Sequence, residues 1–160
     1  MRGCKAGLVA LHPQQKRQFQ EGTMADDELR VIEAVQGYLD AYSSRDVDGC
    51  VGFVAERTPV LLLGTNDDEI ITDREMFATS CRRDFSMMDN ISFGEVRYRH
   101  VEAEGNLASV LMELPLSYET GGTETRSLFR FAFTLVRESG SWKISSGLTS
   151  VPFKSGTYSF

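Results

Sequence analysis

Few residues of this chain could do chemistry, and Glu113 is the first of them. It stands between Met112 and Leu114 in the alternating run LASVLMELPL, where a carboxylate without compensation would be costly. Facing a cavity it could be a general base; facing outward it would pair with a cation across a sheet. Arg97 and Arg99, in RYRH, could form a cationic rim that captures a ligand carboxylate or stabilises an enolate. The plainer reading has both snorkelling from an edge strand. Tyr38 and Tyr42 lie one helical turn apart in GYLDAY and could polarise a carbonyl, or simply fill the core with two rings. His12 and His100 are the only histidines, so neither a Ser-His-Asp constellation nor a two-histidine metal site has its parts. No P-loop or dinucleotide glycine pattern occurs. The expected complement of cofactors and metals is none.

Size and charge narrow the field further. A chain of 160 residues, 41% hydrophobic, can bury one sizeable core, which implies one domain. A net charge of -6 argues against a surface that neutralises phosphates, so nucleic acid is not an expected partner. Cys4, Cys50 and Cys81 have neither disulfide-framework nor zinc-site spacing, which points to a reducing compartment and places the protein in the cytoplasm. No apolar run reaches the ~18 residues of a membrane span, so no membrane association is expected. Residues 1–23 read as a tail, disordered or loosely attached, with Met24 just ahead of the first periodic segment; the folded domain is expected over 24–153, and 154–160 as a second tail.

The elements that must position these residues are legible from periodicity. Between Asp27 and Tyr42 apolar residues recur at helical spacing. Asp46 can cap a second, short helix through Val54. Val60 to Leu63 and Glu69 to Ile71 read as a hairpin, and Thr72 with Glu75 has capping-box spacing for a third helix. After Asn90 the dipeptides Gly105-Asn106, Gly121-Gly122 and Ser139-Gly140 divide a four-stranded meander. Helices followed by strands make an α+β fold. Pairing outward from the three turns puts Val110, Met112, Leu114, Phe129, Phe131, Phe133, Trp142, Ile144 and Leu148 on one face, with Arg97, Arg99 and Ser150 among them. Tyr98, His100, Leu111, Glu113, Arg130 and Thr149 fall on the other. The first face should pack on the helices.

The stretches VQGYLDAYSSRDVDG (35–49), LLLGTNDDEIITDREMF (61–77) and FTLVRESGSWKISSGLTSVP (133–152) resemble the SnoaL-like branch of the nuclear transport factor 2 superfamily. That resemblance implies the cystatin-like cone: N-terminal helices packed on a strongly curved antiparallel sheet. Tyr38 is similar to the superfamily's isomerase tyrosine. The isomerase base, an aspartate on the first strand, would fall at or beside Leu62, and the histidine of a His-x-Ser-x-Pro ending is Leu148, although Ser150 and Pro152 match.

These readings combine into a SnoaL-like domain whose largely apolar cavity holds a small hydrophobic or carbonyl-containing molecule. Tyr38, Tyr42, Arg97, Arg99, Met112, Phe131, Trp142 and Ser150 are its expected ligand-binding residues. The alternative is a cofactor-free isomerase or polyketide-cyclase-type enzyme acting through an enolate, with Tyr38 and Glu113 as catalytic candidates. Leu111, apolar among the polar residues of the outer face, suggests a homodimer through that face.

Overall fold

The computed structural model describes residues 13–154, with side chains described from Asp26 onward. Helix α1 (Pro13–Ser43) begins well ahead of the expected Asp27, with a proline at its first turn. Val31, Val35, Tyr38 and Leu39 form its buried stripe. Asp46 caps α2 (Val47–Gly52) as its position suggests, its carboxylate accepting from Gly49 N. The cap of α3 (Arg74–Met87) is Asp73, which accepts from Met76 N at 2.8 Å, rather than Thr72. On α3, Phe77, Ala78, Cys81 and Phe85 face the core.

Among the described residues, seven strands form one sheet: β1 (Leu61–Leu63), β2 (Ile70–Ile71), β3 (Asp89–Phe93), β4 (Tyr98–Glu104), β5 (Leu107–Thr120), β6 (Thr123–Glu138) and β7 (Ser141–Ser150). The order is β2-β1-β7-β6-β5-β3, with β4 also paired to β5. The three hairpin turns fall at the expected dipeptides: Glu104 pairs with Leu107, Thr120 with Thr123 and Glu138 with Ser141. Gly121-Gly122 and Ser139-Gly140 both have positive φ at the two central positions, the backbone that a tight primed turn needs.

Two expectations about the sheet are corrected. A strongly curved, purely antiparallel sheet is not what forms: β1 runs parallel to β7, so the sheet is mixed, and its edge strands β2 and β3 do not meet to close it. Turn residues reveal only neighbours joined by hairpins, whereas β1 docks on a strand some eighty residues later. The assigned faces also hold only as far as Ser145. There β7 bulges, with the pairing stepping from Leu135↔Ile144 to Thr134↔Ser146. One extra residue reverses every later side chain. Gly147 and Thr149 therefore share a face with Phe133 and Phe131, while Leu148 and Ser150 line up with Ala132 and Arg130 on the outer face.

Candidate functional site

Between α1, α3 and the inner face of the sheet lies a cavity of about 370 Å³. Rings dominate its wall: Tyr38 and Tyr42 from α1, Phe77 from α3, and Phe93, Tyr118, Phe129, Phe131 and Phe133 from the sheet. They touch in sequence, with centroids 6.0 Å apart for Tyr38–Phe133 and Tyr42–Phe93, 6.2 Å for Phe93–Phe131 and 5.3 Å for Phe131–Phe133. Gly147 makes room for this arrangement. A Cβ there would lie 2.5 Å from Phe133 Cδ1, so the ring lies across the glycine. Leu62, opposite Gly147 on β1, is buried and lines the cavity, while Leu61 and Leu63 are exposed, Leu63 also at the cavity's border. The aliphatic run of β1 is thus wall on one side and outer surface on the other.

A carboxylate does reach the cavity, from the third helix, where the sequence reading named no site residue. Asp84 of α3 lines it and accepts a 2.8 Å hydrogen bond from the Tyr42 hydroxyl. Burial pushes its carboxyl above the ordinary range; the Tyr42 hydrogen bond opposes that shift, nearby Glu69 adds to it, and Arg83 opposes it. Glu69 also borders the cavity but is neutralised, being ion-paired with Arg83 and accepting from Asn66 N at 3.0 Å. Arg83 reaches Asp84 less well, its Nε lying 3.9 Å from Oδ1. Burial, followed by the nearby Asp84 charge, raises Tyr42, and burial raises Tyr38. Tyr38 makes no side-chain hydrogen bond among the described residues, although it is only 9% exposed. The signal for Asp84 was present in the sequence. Phe77, Cys81 and Met88 are seven and three residues before it and four after, so a charged residue sits within the helix's apolar stripe.

The expected site residues divide into three groups. Tyr38, Tyr42 and Phe131 meet at the cavity. Met112 and Trp142 are buried but do not line it. Trp142 lies under the Arg137 guanidinium, 4.6 Å from its ring centroid. Glu113, Arg97, Arg99 and Ser150 are not at the cavity. Glu113 faces outward, as its register with Tyr98 and Arg130 requires, and binds Arg97 at 3.1 Å and Arg130 at 2.7 Å. Arg97 curls over the edge to this pair and stacks on Tyr98, while Arg99 is exposed opposite Met112. Ser150 moved to the outer face with the bulge. Glu113, Arg99 and Ser150 border a shallow outer depression with Tyr98, His100, Leu111, Ala132 and Leu148.

The family model for the SnoaL-like domain matches residues 31–154, nearly the whole of this architecture. The chain belongs to the SnoaL-like domain family. No curated protein matches it. Among solved structures, this SnoaL-like chain is similar to an NTF2-like protein of unknown function from Pseudomonas putida, at 19% identity and a TM-score of 0.68 over 84% of this chain and 93% of that one. It is also similar to a ketosteroid isomerase-like protein from Erwinia carotovora atroseptica, at 17% identity and a TM-score of 0.68 over 80% and 98%. An NTF2-like protein with a cystatin-like fold from Novosphingobium aromaticivorans matches at 15% identity and a TM-score of 0.64 over 94% and 95%. At such identities the likeness establishes the NTF2-like fold. Among the described residues no helix is long and apolar enough to cross a membrane, and no group of three or more His, Cys, Asp or Glu could hold a metal ion.

Proposed function

We propose that this SnoaL-like domain binds a small, largely apolar molecule in its inner cavity and works as a homodimer through the outer sheet face, in the cytoplasm and without nucleic acid. One observation carries the binding reading: a ring-walled cavity into which Asp84 reaches, hydrogen-bonded by Tyr42. Apolar walls supply affinity, and one convergent polar group supplies orientation. The test is NMR screening with neutral aromatic fragments, repeated on Ser80→Trp, which fills the cavity from α3. Binding lost in a variant whose circular dichroism is unchanged supports the reading; binding retained removes it. The dimer rests on the exposed Leu61, Leu63, Leu111 and Leu148, which share the outer face across neighbouring strands. A monomer by sedimentation at tens of micromolar would count against it. The cytoplasmic assignment rests on cysteine spacing, and exclusion of nucleic acid on the net charge of -6.

Asp84 favours one further reading: a cofactor-free enzyme that shifts a proton beside a carbonyl. The C–H proton would pass to the Asp84 carboxylate and the electron pair toward the carbonyl oxygen, which Tyr38 would hydrogen-bond. Glu113 has no part in this version, and Arg97 and Arg99 stand too far round the sheet to steady an enolate. A developing anion beside two carboxylates with only neutral donors is poorly served, so binding remains the leading reading. Isomerisation of an unsaturated ketosteroid by the wild type, abolished in Asp84→Asn, would reverse that order.

A further inference from the structure

Both charged residues that border the inner cavity, Asp84 and Glu69, are negative; no lysine, arginine or histidine lines it among the described residues. An anionic ligand would therefore meet carboxylates with no cation to receive it. Glu69 is already satisfied by Arg83 and a backbone N–H. Asp84 is not: Tyr42 occupies Oδ2, and the nearest cation to Oδ1 is Arg83 Nε at 3.9 Å, beyond hydrogen-bonding reach. Tyr38, a nine-tenths buried residue that lines the same cavity and makes no side-chain hydrogen bond among the described residues, offers a second polar atom to whatever fills the space. Around them stand aromatic rings, whose negative faces attract cations.

We propose that the ligand of this cavity is an organic cation, a small aromatic or alkyl ammonium compound whose nitrogen sits against the Asp84 carboxylate. The inference rests on the reading that the cavity binds a small, largely apolar molecule, and it adds the charge. The ammonium N–H groups donate to Asp84 Oδ1 and to the Tyr38 oxygen, while Tyr42 holds Oδ2 and fixes the carboxylate's orientation. The hydrocarbon body packs against Phe93, Phe131 and Phe133. A volume of about 370 Å³ lies at the small end of ligand pockets, and suits a compact ring-bearing amine. A neutral ligand of the same shape could give Asp84 Oδ1 only a hydrogen bond from an uncharged donor, without the attraction between opposite charges that an ammonium adds.

Calorimetric titration at neutral pH with three molecules of similar shape tests this: benzylammonium, benzyl alcohol and benzoate. The wild type should bind benzylammonium at least about tenfold more tightly than benzyl alcohol, a difference of about 1.4 kcal/mol, and benzoate not at all. Asp84→Asn should bring the cation down to the level of the alcohol and leave the alcohol unchanged. Glu113→Gln, which alters a carboxylate on the other face, should change none of the three. If the alcohol binds as well as the ammonium, or if Asp84→Asn keeps the preference, the charge inference fails while the apolar-cavity reading stands. If none of the three binds, both fail. The wild-type ranking decides the matter even if the Asp84 variant does not fold.

Discussion

Asp84 and Glu138 are both carboxylates packed against the core, and they are built in opposite ways. Glu138, at the end of β6, has both oxygens filled by the backbone N–H groups of Glu56, Arg57 and Thr58, at 2.9, 3.1 and 2.8 Å. These bonds, that from Glu56 foremost, outweigh burial and pull its carboxyl down to about 2. Asp84 has one hydroxyl donor and a cavity, and burial pushes it the other way. The first carboxylate ties the segment after α2 to the β6–β7 hairpin. The second keeps unused hydrogen-bonding capacity where a molecule can enter. A buried charge whose acceptors are full is architecture; one whose acceptors are half empty is a place to look for a ligand.

The largest expected effect is on the architectural side. Glu138→Ala leaves three backbone donors without their acceptor, and should lower the unfolding free energy by about 3–4 kcal/mol, read by urea denaturation at neutral pH. The pH dependence has a definite sign. Because Glu138 is held below its ordinary value of 4.5, it contributes stability above that value, lost as pH falls toward about 2. Asp84, raised in the folded state, does the reverse: its contribution is complete below the ordinary 3.8 and is lost as pH rises through the raised value. Urea midpoints measured against pH should lose part of their acid decline in Glu138→Gln, and part of their decline at rising pH in Asp84→Asn. Equal profiles for the two variants would erase the contrast.

A smaller effect sharpens the cavity side. Gly147→Ala places a methyl where Phe133 lies, and overpacking of this kind costs about 1–3 kcal/mol. The displaced ring should also enter the cavity and weaken aromatic fragment binding. Unchanged stability together with unchanged binding would mean that Phe133 is free to move aside. Tyr42→Phe should cost less, about 1 kcal/mol, yet move Asp84 more tellingly. The lost hydroxyl is the hydrogen bond that holds the carboxyl down, so its titration, followed by carbon NMR of the carboxyl group, should shift further upward. A downward shift would show that another donor takes the place of Tyr42.

The parts of this design that follow a local rule were legible in the sequence. Turn dipeptides fixed the meander and carried Glu113 to Arg130 and Tyr98, because hairpin register needs only the turn and the alternation. What failed was non-local or compensated. The bulge at Ser145 carries no turn residue to announce it, yet it exchanged Ser150 for Thr149 at the cavity. The parallel docking of β1 on β7 leaves no mark in either segment. Asp84 was obscured by CRRDF, where a charge beside two arginines reads as solvated surface until the helical stripe through Phe77, Cys81 and Met88 is drawn. Glu138 resembled any polar residue before a turn, since its partners are backbone groups that sequence does not display.

Glu113 supplies the smallest expected effect and the control for the whole comparison. It is another low-exposure carboxylate, and like Glu138 it is satisfied, but by side chains: Arg97 and Arg130, themselves 48% and 58% exposed. Water reaches both cations, so each pair is worth at most about 1 kcal/mol, and glutamine can still accept from one of them. Glu113→Gln should therefore change stability by no more than about 1 kcal/mol and leave binding in the inner cavity untouched, because strand alternation directs the side chain away from it. Fragment titration and urea denaturation of this one variant check both statements. A loss of cavity binding with stability preserved would mean that charge on the outer face is felt through the sheet, and that the division between architectural and binding carboxylates is drawn in the wrong place.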